Sequence, residues 1–156
     1  MARIESKESK PLAIVDSNVI VYAFIKDYPD KERHEKCLAL IEKGLKGELN
    51  YILTVNPIII VEVFSVLRKI LGYNEAEFRV SSLLSSRRLG FLSISKQACK
   101  NGVQWAKEKS IPVNDALIAA SMAEYAKLIY TVDEEHFNKL KKHNVKISNP
   151  TKSTFY

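Results

Sequence analysis

Two aspartates in the sequence could carry metal or acid–base chemistry, because each stands where an apolar run ends. Asp16 directly follows Leu12–Val15, and Asp133 directly follows Leu128–Val132. Both runs are short and rich in β-branched residues, as is typical of buried strands. Ligands of parallel sheets collect at the carboxyl ends of the strands. We therefore expect both carboxylates to lie at the same edge of one sheet.

Two further acids lie on helical segments. Asp115 begins an alanine-rich helix predicted over residues 114–127, and its first turn would point back toward the same edge. Glu62 lies on a helix predicted over residues 57–71, where its neighbours at helical spacing are mostly apolar. Burying an unpaired carboxylate is costly, so Glu62 needs a partner.

Carboxylates that gather at one place repel one another, which raises at least one pKa unless a cation neutralises them. Oxygen ligands favour a hard divalent ion, Mg²⁺ or Mn²⁺, which could activate a water for attack on a phosphodiester. We assign Asp16 and Asp115 as the first metal ligands, while Glu62 and Asp133 complete the shell or orient the water. Helix capping remains an alternative role for each aspartate, and Glu62 could instead pair with a nearby cation.

The rest of the chain predicts the scaffold for these acids. Short strand patterns alternate with longer helical ones, which is typical of an α/β fold with three α/β/α layers and a mostly parallel central sheet of about five strands. We predict strands over 12–15, 51–55, 91–95, 128–132 and 145–148. Helices are predicted near 17–24, 37–45, 57–71, 74–88, 96–109, 114–127 and 134–142, with Ala98, Val103 and Ala106 facing inward on the fifth of them.

Composition limits the functional classes. Hydrophobic residues make up 46% and charged residues 27% of the 156 residues, as expected for one globular domain. The start of the sequence is polar and charged, so we expect no secretory signal, and the longest apolar stretch, from Pro57 to Phe64, is too short for a membrane span. Cys37 and Cys99 form neither a disulfide framework nor a zinc motif, so we expect a cytoplasmic protein. The net charge of +6 favours a polyanionic partner.

Four segments of the sequence resemble the successive acidic motifs of PIN-domain ribonucleases, especially VapC-type toxins of toxin–antitoxin pairs. These segments are AIVDSNVIVYAF, NPIIIVEVFSVL, VNDALIAASMA and LIYTVDEEHF. The resemblance implies that Asp16, Glu62, Asp115 and Asp133 form the acidic quartet of the active site. By the same resemblance, Asn18 is an auxiliary polar residue and Thr131 is the hydroxyl residue that precedes the last aspartate.

The resemblance also implies the domain limits and the partners. Residues 11–150 would form the nuclease domain, between a polar N-terminal extension, 1–10, and a C-terminal tail, 151–156. The expected partners are an RNA substrate, a small antitoxin protein and a second copy of the chain, with no membrane. Phe78, Leu83 and Leu84 could contact a protein partner, or could instead pack on the sheet. A housekeeping RNA-processing nuclease, or a PIN-like module that binds without cutting, remains an alternative.

An acidic site needs cations around it to hold a polyanion. Each of five cations could form such a rim or could instead be an ordinary solvated side chain. They are Arg68, Lys69, Arg87, Arg88 and Lys96. His136 and His143 are predicted to be surface or capping residues, because they do not show the HExxH spacing of a zinc site.

Overall fold

The computed structural model describes residues 10–152, without the side chain of Lys127. The predicted N-terminal extension and C-terminal tail therefore lie almost entirely outside the described residues. Within this part of the chain, no helix is long and apolar enough to cross a membrane.

The centre of the molecule is a sheet of five strands that all run parallel. In chain order the strands are β1 Leu12–Val15, β2 Ile52–Val55, β3 Gly90–Phe91, β4 Ala126–Tyr130 and β5 Ile147–Ser148. Their order across the sheet is β3-β2-β1-β4-β5. The chain thus builds the sheet in one direction from β1 to β3 and then crosses back to β4.

Helices connect the strands. They are α1 Ser17–Phe24, α2 Lys31–Leu45, α3 Pro57–Leu71, α4 Tyr73–Leu84, α5 Lys96–Lys109, α6 Val113–Tyr125 and α7 Glu135–Asn138, followed by a 3₁₀ turn, Lys141–His143. Because parallel crossovers are right-handed, α1–α4 cover one face of the sheet and α5–α6 the other. The predicted three-layer α/β fold is confirmed.

Local sequence explains where several helices begin and end. Asn56 caps α3, since its side-chain oxygen accepts a hydrogen bond of 3.0 Å from the Ile59 amide. Pro57 occupies the first turn, where a missing amide hydrogen costs nothing. Gly72 ends α3 at φ +86°, a conformation that favours glycine. Asn56 is buried, and its amide group also donates to the Ser121 hydroxyl on α6 at 3.2 Å.

The contact between β1 and β4 contains an irregularity. Leu12 pairs with Ala126, but Ala13 pairs with Leu128, so β4 carries one extra residue at its start. From Ala13 onward the register is regular, and Val15 pairs with Tyr130. The Asp16 amide continues this ladder with a hydrogen bond of 2.9 Å to the Tyr130 carbonyl oxygen.

Two expectations about individual segments were wrong, and one open alternative is decided. The strand predicted over 91–95 covers only Gly90–Phe91, because its partner β2 ends at Val55, which pairs with Phe91. Val103, predicted to face inward, is 58% exposed. Of the three residues that could contact a partner or pack on the sheet, Leu83 is buried in the core, whereas Phe78 is 67% exposed and Leu84 is also exposed.

Candidate active site

Asp16 lies where the direction of sheet construction reverses, between β1 and β4. Such a reversal leaves a crevice at the carboxyl ends of the two strands. Asp16 is also the N-cap of α1, and its Oδ1 atom accepts a hydrogen bond of 2.8 Å from the Ser17 amide. Its residue exposure is only 5%. Helix capping and a place in the crevice are therefore compatible roles for this residue.

Thr131 fixes the other oxygen of Asp16. Its hydroxyl donates to Asp16 Oδ2 at 2.8 Å and accepts from the Asp133 amide at 3.1 Å. Asn18 contacts Thr131 in turn. The Asn18 Nδ2 atom lies 3.4 Å from the Thr131 hydroxyl, and its Oδ1 accepts from the Val132 amide at 3.3 Å. These bonds join the first turn of α1 to the segment that leaves β4.

The electrostatic environment of Asp16 favours its protonated form. The pKa of Asp16 is raised from 3.8 to about 7, chiefly by burial. The hydrogen bonds from Thr131 and Ser17 oppose this shift, while the neighbouring charges of Asp115 and Glu62 add to it. Asp16, Asp115 and Glu62 therefore lie close enough for their charges to act on one another.

Asp115 lies in the first turn of α6 and makes a close contact with His136 on α7. The distance from His136 Nδ1 to Asp115 Oδ2 is 2.6 Å, and that from the same nitrogen to Asp133 Oδ2 is 3.9 Å. Burial raises the pKa of Asp115, and the His136 hydrogen bond and charge lower it. The Asp133 side chain is 56% exposed, so it is the most open of the four acids.

Glu62 lies in the second turn of α3 and is half-buried. Its Oε1 atom is buried and has no hydrogen-bond partner among the described residues. Burial and the charge of Asp115 raise the pKa of Glu62, while the side chains of Asn114 and Ser17 lower it. A buried acceptor without a donor is costly unless a cation or water completes it.

The four acids fit a metal site by their chemistry more than by their present spacing. Among residues 10–152, no three His, Cys, Asp or Glu side chains converge closely enough to form a finished metal site. The donor chemistry nevertheless fits a hard divalent cation, because the group offers only carboxylate oxygens besides His136, and Glu62 Oε1 lacks a partner. A cation would also offset the repulsion that raises the carboxylate pKa values.

The PIN domain family model matches residues 13–143, a range that contains all four acids. The chain belongs to the PIN domain family. The resemblance predicted from the acidic motifs is therefore confirmed. No curated protein sequence matches the chain significantly.

Solved structures of toxin–antitoxin proteins share this PIN fold. VapC20 of Mycobacterium tuberculosis, a Sarcin-Ricin loop cleaving toxin, is 15% identical with a TM-score of 0.64, over 80% of this chain and 92% of that one. DNA-bound VapBC from Salmonella typhimurium is 15% identical with a TM-score of 0.67, over 90% and 98%. VapBC-1 from nontypeable Haemophilus influenzae is 20% identical with a TM-score of 0.66, over 90% and 99%. At these identities the likeness concerns the fold.

The predicted cationic rim of this PIN domain was wrong. Helix α3 begins at the carboxyl end of β2 and runs away from it, which carries its last turn, with Arg68 and Lys69, about 18 Å from its start. Arg87 and Arg88 precede β3 and lie at the amino ends of the strands. Lys96 follows Ser95, whose hydroxyl contacts Glu124 near the start of β4. None of the five borders the acids.

Other cations lie at the carboxyl edge. Lys36 on α2 donates to the Thr151 carbonyl oxygen at 3.1 Å, just beyond β5. Lys152 pairs with Glu134 at 2.6 Å, next to Asp133. The sequence did not predict that Lys36 lies near Thr151, because α2 and the segment after β5 are far apart in the chain and only the fold brings them together.

His136 is the site residue that the sequence reasoning missed. It was predicted to be a surface or capping residue, but it contacts Asp115. The available signal was its position three residues after Asp133, which is one helical turn. His143, in contrast, stacks on Trp105 with ring centroids 4.1 Å apart.

Proposed function

We propose that this PIN domain, residues 11–150, is an endoribonuclease that hydrolyses RNA phosphodiester bonds with Mg²⁺ or Mn²⁺. Asp16, Asp115, Glu62 and Asp133 would hold the ion. The observation that carries the proposal is the group of mutually repelling, partly buried carboxylates at the reversal point of the sheet, with raised pKa values and an unpartnered Glu62 oxygen. The net charge of +6 supports a polyanionic substrate.

Each side chain has a role that follows from its contacts. Thr131 and the Ser17 amide hold the Asp16 carboxylate in one orientation. His136 does the same for Asp115. Asp133, the most exposed acid, lies closest to solvent and hence to an approaching RNA strand. A divalent ion, when bound, would polarise the phosphate and lower the pKa of a water.

The direct test is cleavage of a susceptible RNA by the purified chain with Mg²⁺, with Mn²⁺ and with EDTA. We expect activity with either ion and none with EDTA. Asp115→Asn should lose at least about 100-fold, equivalent to about 2.7 kcal/mol of transition-state stabilisation. Glu77→Gln is the matched control, because it removes an exposed carboxylate on α4. Full activity of Asp115→Asn, or activity in EDTA, contradicts the proposal.

We also propose that the enzyme is a cytoplasmic toxin, which forms a homodimer and is inhibited by a small antitoxin. The support is the fold shared with VapC20 and with VapBC complexes. A shallow apolar cavity of about 230 Å³ between α1, α2 and α4 offers a place for a protein partner, with Phe24, Leu45 and Phe78 in its lining.

The biological test expresses the chain in a bacterial host alone and then together with the product of the adjacent gene. The proposal expects growth arrest and RNA degradation that the neighbour relieves. Asp115→Asn should cause no arrest. Light scattering of the purified chain checks the dimer. Unimpaired growth with an active enzyme would favour the housekeeping nuclease, with the same carboxylate chemistry.

A further inference from the structure

A second concave site lies at the opposite end of the sheet from the acids. It is a cavity of about 450 Å³ at the amino ends of β1, β2 and β3. The four residues of β1 separate the cavity from the acidic crevice by about 13 Å. Its lining includes three cationic residues, Lys10, Arg87 and Arg88, and an apolar wall formed by Leu12, Tyr51 and Ile52.

Two of the cations lie against the backbone around Gly47. The Lys10 ammonium group donates to the carbonyl oxygens of Gly47 at 2.9 Å and Leu49 at 2.6 Å. The Arg88 guanidinium lies directly against Gly47, since a methyl group added there would come within 1.7 Å of Arg88 Nη1. Gly47 has a φ of +77°, and its missing side chain leaves room for the guanidinium.

The cations of this cavity have no paired carboxylate in the described part of the chain. Neither Lys10, Arg87 nor Arg88 forms a salt bridge with a carboxylate among residues 10–152. Two adjacent arginines offer the forked N–H groups that bind phosphate oxygens in pairs. The cavity therefore has the charge and the donors of a phosphate site.

The apolar wall of the cavity indicates which chemical group a phosphate ligand would carry. Tyr51 is half-buried and joins Leu12 and Ile52 in the lining, which gives an aromatic and aliphatic surface beside the cations. A volume of about 450 Å³ lies within the range of about 300–1,000 Å³ for small-ligand pockets. Aromatic side chains stack on bases without regard to sequence. An acidic peptide would use the charges but not this wall.

We propose that this cavity binds a single nucleotide unit, with its phosphate among Lys10, Arg87 and Arg88 and its base or ribose against Tyr51. The unit could be a free nucleotide or part of an RNA strand. Binding of an RNA strand rests on the proposed function, since the cavity would then bind substrate RNA at a distance from the acids. The cavity itself does not depend on the acids.

The test is a binding experiment on the full chain in EDTA, so that no cleavage occurs. Amide NMR spectra are recorded with adenosine monophosphate, with a six-nucleotide RNA and with inorganic phosphate. We expect the amides of Gly47, Tyr51 and Gly90 to shift with the nucleotide or the RNA, and to shift less with inorganic phosphate at the same concentration. This measurement needs no variant.

Matched variants then test the cations. Arg87→Ala with Arg88→Ala should weaken binding about tenfold or more, because charged hydrogen bonds to phosphate are lost. The control, Lys100→Ala with Lys107→Ala, removes the same charge from exposed positions on α5 and should weaken binding less than about threefold. Gly47→Ala should also weaken binding, because its methyl group displaces Arg88. Gly72→Ala is its control, with a φ of +86° and open space around it.

Each outcome decides something. Shifts with adenosine monophosphate identify a free-nucleotide site, and shifts with the RNA alone identify a strand-binding site. The proposal is overturned if the amides of Gly47, Tyr51 and Gly90 do not shift. It is also overturned if both double variants lose binding equally, or if inorganic phosphate binds as well as the nucleotide. Asp115→Asn should bind the nucleotide or RNA normally in this cavity. If that variant loses cleavage but not binding, the cavity proposal stands. If its cleavage is unchanged, only the proposed activity is rejected.

Discussion

The two ends of the parallel sheet carry opposite charges under different physical conditions. At the carboxyl ends, Asp16 is buried and its pKa is raised to about 7 by desolvation and neighbouring acids. At the amino ends, Arg87 and Arg88 remain exposed. Buried like charges oppose folding, whereas exposed cations retain their hydration. The comparison teaches that the charges at the acidic end oppose folding, whereas those at the cationic end do not.

The largest expected effect is on the rate of RNA cleavage, which should depend on an acid at the carboxyl ends of the strands but not on one at the amino ends. Asp16→Asn should reduce metal-supported RNA cleavage by at least about 100-fold, because it removes a negative ligand from the site. Glu124→Gln removes an acid near the start of β4 and should leave the rate within about twofold. Steady-state cleavage of one RNA by both variants measures this difference. Similar losses in both would remove the distinction between the two ends.

The next effect is a pH dependence of the free energy of unfolding in EDTA. The pKa of Asp16 is about 7 in the folded protein, against an ordinary value of 3.8 for this side chain. The folded protein therefore keeps a proton that the unfolded chain loses. The resulting stability is full below about pH 4 and is lost as the pH rises through 7.

Asp16→Asn has no proton to lose, so it should be roughly 1–3 kcal/mol more stable than the wild type at pH 8. The difference should disappear below about pH 4. Urea unfolding in EDTA at pH 4, 6 and 8 tests this, and replacing EDTA by saturating Mn²⁺ should reduce the difference at pH 8. An equal pH dependence of both proteins would show that Asp16 is not the destabilising group.

A smaller effect concerns His136, which orients Asp115. His136→Ala should lower the cleavage rate about tenfold, as is usual for residues that orient metal ligands. The control is His143→Ala, because His143 stacks on Trp105 away from the acids. Cleavage measured over a range of Mn²⁺ concentrations separates weaker metal binding from a lower maximal rate. Unchanged activity in both respects would exclude this role.

The smallest effect concerns two glycines with positive φ. Gly47→Ala and Gly72→Ala should each lower the free energy of unfolding by about 1 kcal/mol, because alanine is strained at their φ values of +77° and +86°. The two losses should agree within roughly 0.5 kcal/mol, since the end of the Arg88 side chain can move away from the added methyl group. A much larger loss at Gly47 would mean that Arg88 is fixed and structural.

The sequence predicted the sheet and the long helices because their periodic patterns are set by burial. It was less accurate where contacts are not local. On α5, Ala98 and Gly102 form the inward face instead of Val103. A Cβ atom at Gly102 would lie 2.7 Å from Leu117 Cδ2 on α6, so small residues are needed where the two helices approach closely. A hydrophobic pattern alone favours valine over glycine and therefore marks the wrong face.

The acidic residues could be predicted in place because each follows a strand or lies near the start of a helix. The cationic ones were misplaced, because they were chosen by charge and not by the end of the strand or helix at which they lie. Arg87 and Arg88 closely precede β3, and residues that precede a strand of this parallel sheet lie at its amino end, opposite to the acids. The role of the acids in catalysis remains a prediction, which the cleavage experiments test.

The extra residue at the start of β4 has a consequence for how the chain can vary in length. Helix α6, with Asp115 in its first turn, runs away from the acidic edge, and β4 returns to it at Thr131. Register shifts between β1 and β4 are confined to Leu12 and Ala13, before the pairs that align Asp16 with Thr131. A deletion or insertion at residue 127 should therefore be tolerated. One between 128 and 131 would turn Thr131 to the opposite face of the sheet.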